Sequence, residues 1–185
     1  MPEVKNTLTD PSPILAFVEA AQARGWAYEP CGQRNVYWEA NPKALEVNGS
    51  TYPTLQTPCG VVRIGLDSIP LYYHNGRVWR GCTLDVRHDL IVIAAIVVRP
   101  EGRRQGLATE AMRQLLAVAD EAGFTIELEA APIPAFRAKG KRTIGARKLI
   151  AWYKSLGFSP KYPDEGNSIL IRKPDCLDSP TPENR

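Results

Sequence analysis

Nine consecutive apolar residues, Leu90 to Val98 (LIVIAAIVV), constrain this chain more than any other stretch. The run has no period-two alternation and so offers no face to water; it reads as a central strand covered on both sides. It is far too short to span a bilayer, and Asp89 and Arg99 bound it. A loop from Arg99 to Gln105 follows, then a helix from about Leu107 to Ala122. Leu107, Ala111, Leu115, Val118 and Ala122 form its apolar stripe, and Gly123 stands where a C-cap glycine belongs. Thr125 to Ala130 (TIELEA) then alternates as a strand does. Strand, helix and strand in succession predict a βαβ unit with parallel strands.

The loop of that unit is the chemically informative part. A tight turn from a central strand into a helix leaves several backbone N–H groups without intrahelical partners. They sit at the positive end of the helix dipole, which suits a phosphate or diphosphate. Gly106 permits close approach of a ligand to the backbone, Ala108 keeps the first turn uncrowded, and Arg103 and Arg104 add charged donors. Two other phosphate-binding loops are excluded. A P-loop needs Gly-Lys-Ser/Thr opening the helix, and here Leu107 follows Gly106; a dinucleotide loop needs three glycines, and only Gly102 and Gly106 are present.

Elsewhere the pattern is that of one α/β domain. Residues 1–12 read as a flexible N-terminus, 13–173 as a single domain and 174–185 as a disordered tail. Ser12 and Pro13 introduce a helix carrying Ile14, Phe17, Val18 and Ala21, stopped at Gly25. From Val36 to Val98 short runs rich in Val, Ile, Tyr and Trp alternate with turns at Asn48-Gly49 and Asn75-Gly76, the latter centring a hairpin from Ile69 to Cys82. Leu149, Trp152, Tyr153 and Leu156 mark a later helix ended by Gly157, and Phe158–Tyr162 with Ser168–Arg172 read as a closing hairpin.

Composition narrows the partners. A net charge of +3 is far from the one-signed surface of a nucleic-acid binder, so a nucleic-acid partner is not expected. Cys31, Cys59, Cys82 and Cys176 are scattered, with only His74 and His88 to join them, so neither a metal site nor a disulfide framework is expected. No basic segment followed by an apolar one opens the chain, and the expected location is the cytoplasm, with no membrane partner.

Arg103-Arg104-Gln105-Gly106-Leu107-Ala108 resembles the Arg/Gln-x-x-Gly-x-Gly/Ala signature of the GNAT superfamily of acyl-CoA-dependent N-acetyltransferases. Ala151-Trp152-Tyr153-Lys154-Ser155-Leu156-Gly157-Phe158 is similar to that family's aromatic-Tyr-x-x-Leu-Gly-Phe motif, in the expected order. Together the two cover about residues 90–172, the expected cofactor-binding half. The resemblance implies a mixed α/β sheet with helices on both faces, splayed at a parallel strand pair that admits acetyl-CoA. It implies that the backbone from Arg104 through Gln105, Gly106, Leu107 and Ala108 to Thr109 holds the diphosphate, with Arg103 at the entrance and the backbone of Val98 against the pantetheine arm.

The same resemblance gives Tyr153 the role of acid towards the departing thiolate and Glu129, in Leu128-Glu129-Ala130, that of base towards the amine, directly or through water. Glu127 shares the strand face of Glu129, and the choice among Glu127, Glu129 and a water stays open. Asp89 is a poorer substitute at the start of the preceding strand. Where the family carries an asparagine, this chain has Pro132-Ile133-Pro134, followed by a basic segment with Arg137, Lys139, Lys141, Arg142, Arg147 and Lys148. Trp38, Tyr72, Tyr73 and Trp79 are candidates to line an acceptor cleft. The expected reaction moves an acetyl group from acetyl-CoA, a co-substrate, to a primary amine of a small molecule or protein, with no metal. The alternative is a non-catalytic acyl-CoA-binding regulatory module; a homodimer is left open.

Overall fold

The computed structural model describes residues 13–30, 53–75, 77–132, 144–164 and 166–175. In chain order the elements are α1 (Pro13–Gln22), β1 (Ala27–Glu29), β2 (Thr54–Gln56), β3 (Val62–Asp67), β4 (Leu71–His74), β5 (Arg77–Arg80), β6 (Leu90–Val98), α2 (Leu107–Ala122), β7 (Thr125–Glu129), α3 (Ala146–Ser155), β8 (Ser159–Tyr162) and β9 (Gly166–Arg172). The apolar run Leu90–Val98 is a strand along its whole length, and the striped segment is a helix from Leu107 to Ala122. Gly123, at φ +75°, closes that helix in the left-handed conformation and donates its N–H to Ala119 O. Ser12, Trp38, Asn48-Gly49 and Gly76 lie outside the described residues.

A seven-stranded sheet runs β1-β2-β3-β6-β7-β9-β8, with β6 at its centre, and β4 and β5 form a separate hairpin. Every neighbouring pair is antiparallel except β6 and β7, which are parallel, as the βαβ reading requires. The parallel register runs from Leu90↔Thr125 to Ile93↔Leu128 and ends there. On its other side β6 pairs with β3 to its end, but Gly65 meets Ala95 while Leu66 meets Ile93. Ala94 is therefore an extra residue on β6, a bulge that bends the strand. Beyond it Ala95–Val98 stay with β3 and Glu129 stays with β9, so β6 and β7 part. This is the splayed pair that the family resemblance implies.

Register divides the side chains between two faces. One face presents Ile64, Leu66, Ile91, Ile93, Ile126, Leu128 and Leu170, which form a core with Phe17 of α1, Met112 and Leu115 of α2, and Tyr153 of α3. The three described helices thus share one face. On the other face, Glu127 and Lys161 hold the main chain of Leu71, so the β4–β5 hairpin is the cover there. Helices were expected on both faces; residues 31–52 lie outside the described residues.

Leu115 is fully buried at the interface between α2 and the sheet. Leu115→Ala should lower stability in chemical denaturation by about 2–5 kcal/mol, the usual cost of emptying such a site. A loss well under 1 kcal/mol would mean that this packing is not the core.

Candidate active site

The chain leaves β6 at Val98 and turns at once. Arg99 donates its N–H to Val61 O at 3.0 Å, and Gly102 and Arg103 donate theirs to Arg99 O and Pro100 O in a single 3-10 turn. Gly102 is buried there, and a Cβ on it would run into Val61 and approach Leu107 Cδ1 to 3.0 Å. Sequence reasoning singled out Gly106; the close packing at Gly102 needed the structure. Arg104 at φ +64° and Gly106 at φ +77° are both left-handed, and between them the chain reverses into α2. Nothing lies within 4 Å of where a Cβ on Gly106 would be. Its backbone angle calls for glycine, and the space beyond it is open to a ligand.

The first bond of the α2 ladder is Glu110 N–H to Gly106 O, at 3.0 Å. The N–H groups of Leu107, Ala108 and Thr109 come before it, at the positive end of a helix of 16 residues. The side chains of the loop are used partly within it. Arg103 Nε donates to Val98 O at 3.2 Å, and Gln105 Nε2 donates to Glu101 O at 2.6 Å. Arg103 thereby ties the turn to the strand end, and Gln105 offers a ligand its backbone rather than its amide side chain. Arg104 is exposed on the turn.

Across this turn lies α3. Trp152 Nε1 donates to Thr109 Oγ1 at 3.0 Å, joining the second sequence motif to the residue that follows the first. Tyr153, only 6% exposed, packs against Trp152 with ring centroids 4.6 Å apart and edge-on to Phe158 at 5.6 Å. Its ring is part of the core. Burial also pushes the phenol pKa well above its ordinary value, so the hydroxyl keeps its proton at neutral pH.

Glu127 and Glu129 share a strand face but have different fates. Glu127 is completely buried. Its Oε2 pairs with Lys161 Nζ at 2.7 Å, and its Oε1 accepts the N–H of Leu71. Lys161 Nζ also donates to Leu71 O at 2.6 Å and lies 5.1 Å and 5.4 Å from the ring centroids of Tyr72 and Tyr162. Glu127 is thus committed to holding the hairpin. Glu129, the last residue of β7, reaches solvent, yet enough protein surrounds it that partial desolvation raises its carboxyl pKa. Desolvation, not repulsion from Glu127, is the cause. Asp89 is held by Arg87 through bonds of 3.1 and 2.6 Å, which keep its carboxyl below the usual range.

Tyr72 and Trp79 face each other across the hairpin and are 39% and 53% exposed, whereas Tyr73 is half-buried. Arg137, Lys139, Lys141 and Arg142 lie outside the described residues; Arg147 and Lys148 are exposed at the start of α3. Among the described residues no group of three or more His, Cys, Asp or Glu could hold a metal ion, and no helix is long and apolar enough to cross a membrane. Cys59 and Cys82 are free thiols.

The sequence profile of the Acetyltransferase (GNAT) family matches residues 34–158, more than half of the chain. No curated protein matches it significantly. Similar solved structures include the ribosomal-protein-S18-alanine N-acetyltransferase of Escherichia coli, at 16% identity over 84% of this chain and 98% of that one, with a TM-score of 0.42. The GNAT family N-acetyltransferase YhbS of Escherichia coli, in complex with CoA, is 14% identical over 71% and 64%, with a TM-score of 0.38. The anti-CRISPR protein AcrVA5 is 19% identical over 61% and 90%, with a TM-score of 0.40.

The pairing of Lys161 with Glu127 has no signal in the sequence. Lys161→Met should leave the Glu127 carboxylate buried without its cation and destabilise the fold by about 3–5 kcal/mol. Glu127→Gln in the same chain should recover part of that loss in urea denaturation. Equal stability of Lys161→Met and the parent would contradict the pairing.

Proposed function

This chain belongs to the GNAT acetyltransferase family and is an acyl-CoA-dependent N-acetyltransferase; we propose that it moves an acetyl group from acetyl-CoA to a primary amine of a small molecule or protein by direct attack. The observation that carries this reading is the turn into α2. Two left-handed residues, three N–H groups ahead of the helical ladder and open space at Gly106 make a receptor for a diphosphate.

In this reading the backbone from Arg104 to Thr109 holds the diphosphate, and Val98 and its neighbours past the Ala94 bulge meet the pantetheine arm. A backbone N–H near Val97 or Val98 is the oxyanion donor, a role that needs no particular side chain. An alkyl amine is protonated in water at neutral pH and must lose a proton before it attacks. Glu129, or a water that it holds, takes this proton, and the raised carboxyl pKa makes it a better base than an ordinary surface glutamate. The amine nitrogen bonds to the acetyl carbon, the carbon–sulfur bond breaks, the thiolate takes its proton from Tyr153, and the nitrogen's surplus proton passes through water to the tyrosinate as the amide forms. The desolvation that raises the phenol pKa raises that of a thiol beside it as well, so burial leaves the balance of the transfer from phenol to sulfur largely unchanged.

An acceptor panel of small amines and lysine peptides, assayed by release of free CoA thiol, tests the reaction. Tyr153→Phe and Glu129→Gln should each lower kcat by about 10²-fold or more with little change in the acetyl-CoA dissociation constant. Cofactor affinity intact and turnover absent in the parent protein would favour the binding module instead. Because the base must be ionised, kcat/KM should rise with pH through an apparent pKa above the ordinary glutamate value of about 4.3; Glu129→Gln should remove that limb. Gly106→Glu should abolish acetyl-CoA binding, by strain at a positive φ and by repulsion of the phosphates.

A further inference from the structure

The bond between Trp152 and Thr109 joins residues 43 positions apart, and its direction is fixed, because an indole nitrogen only donates. Thr109 is the third residue of α2, one of the three whose N–H groups precede the helical ladder. Its hydroxyl accepts from Trp152 and keeps its own proton to give. Trp152 in turn lies against the ring of Tyr153, with centroids 4.6 Å apart and planes inclined at 47°. One hydrogen bond and one ring contact therefore connect the diphosphate turn to the phenol on α3.

We propose that Trp152 is a positioning residue that fixes the separation between the diphosphate-binding turn of α2 and the thioester end of the site at Tyr153. This rests on the functional reading above. The physical need is specific. Acyl-CoA is a flexible ligand held at two distant points, and a grip on its diphosphate aligns its thioester only if the frame between the two points is stiff. Here α2 and α3 are separated in sequence by β7 and the segment that follows it. The side-chain bond supplies a direct tie across that interval. A tie of this kind adds to the affinity of the joined ligand while leaving either half, bound alone, unaffected.

Titration calorimetry with three probes tests this: acetyl-CoA, its adenosine-diphosphate half, and acetylpantetheine. Trp152→Phe keeps an aromatic ring and removes the donor; Thr109→Val keeps the shape and removes the acceptor; Thr109→Ser retains the hydroxyl. Trp152→Phe and Thr109→Val should each weaken acetyl-CoA binding by about three- to tenfold, the range set by one neutral hydrogen bond. The double variant should be no weaker than either single one, Thr109→Ser should match the parent, and affinities for the two halves should change less than about twofold. A matching loss for the adenosine-diphosphate half would overturn the proposal, since Trp152 would then only shape the phosphate turn. So would unchanged acetyl-CoA affinity, or Thr109→Ser behaving as Thr109→Val. A parent protein with no affinity for acetyl-CoA would remove the functional reading itself, and this inference with it.

Discussion

Backbone groups that the fold cannot satisfy by itself govern this molecule. An α-helix leaves its first N–H groups without internal partners, and in α2 those groups begin where Arg104 and Gly106 reverse the chain. A parallel strand pair that parts does the same for a sheet, and β6 and β7 part beyond the Ala94 bulge. The two sets lie at opposite ends of one short connection, Arg99 to Gly106. A ligand with a diphosphate at one end and an amide-bearing arm at the other can answer both. In the proposed reading the site is built mainly from main chain, which explains why so few of its side chains are chemically unusual.

Side chains enter where charge must be placed. β7 offers two carboxylates on one face, and the fold separates their duties. Glu127 is enclosed and satisfied by Lys161 and the N–H of Leu71, so it anchors the β4–β5 hairpin over the sheet. Glu129, at the strand end, reaches solvent through partly desolvated surroundings, and its carboxyl is less acidic than usual. Tyr153 is the reverse case: a neutral acid kept neutral by burial. Environment, and not residue type, assigns these roles.

Much of this was legible in the sequence, and the rest was not, for identifiable reasons. LIVIAAIVV announces a covered strand because no face of it tolerates water, and the stripe from Leu107 to Ala122 announces a helix because its period is local. The turn at Gly106 is legible for the same reason. Ala94 is not, because a bulge depends on the register with Gly65 and Leu66 on another strand. The partnership of Glu127 with Lys161 spans 34 residues, and neither residue advertises the other. Trp152 was visible as part of a motif, but its bond to Thr109 was not. Alternation along Thr125–Ala130 placed Glu127 and Glu129 on one face correctly while leaving open which was buried. That difference comes from the hairpin above them.

The central claim is that the N–H groups opening α2 bind the diphosphate of acetyl-CoA. Amide hydrogen exchange, followed residue by residue with and without saturating acetyl-CoA, addresses it most directly. Exchange at Leu107, Ala108 and Thr109 should slow on addition of the ligand. Unchanged exchange at those three amides in the saturated protein would contradict the account.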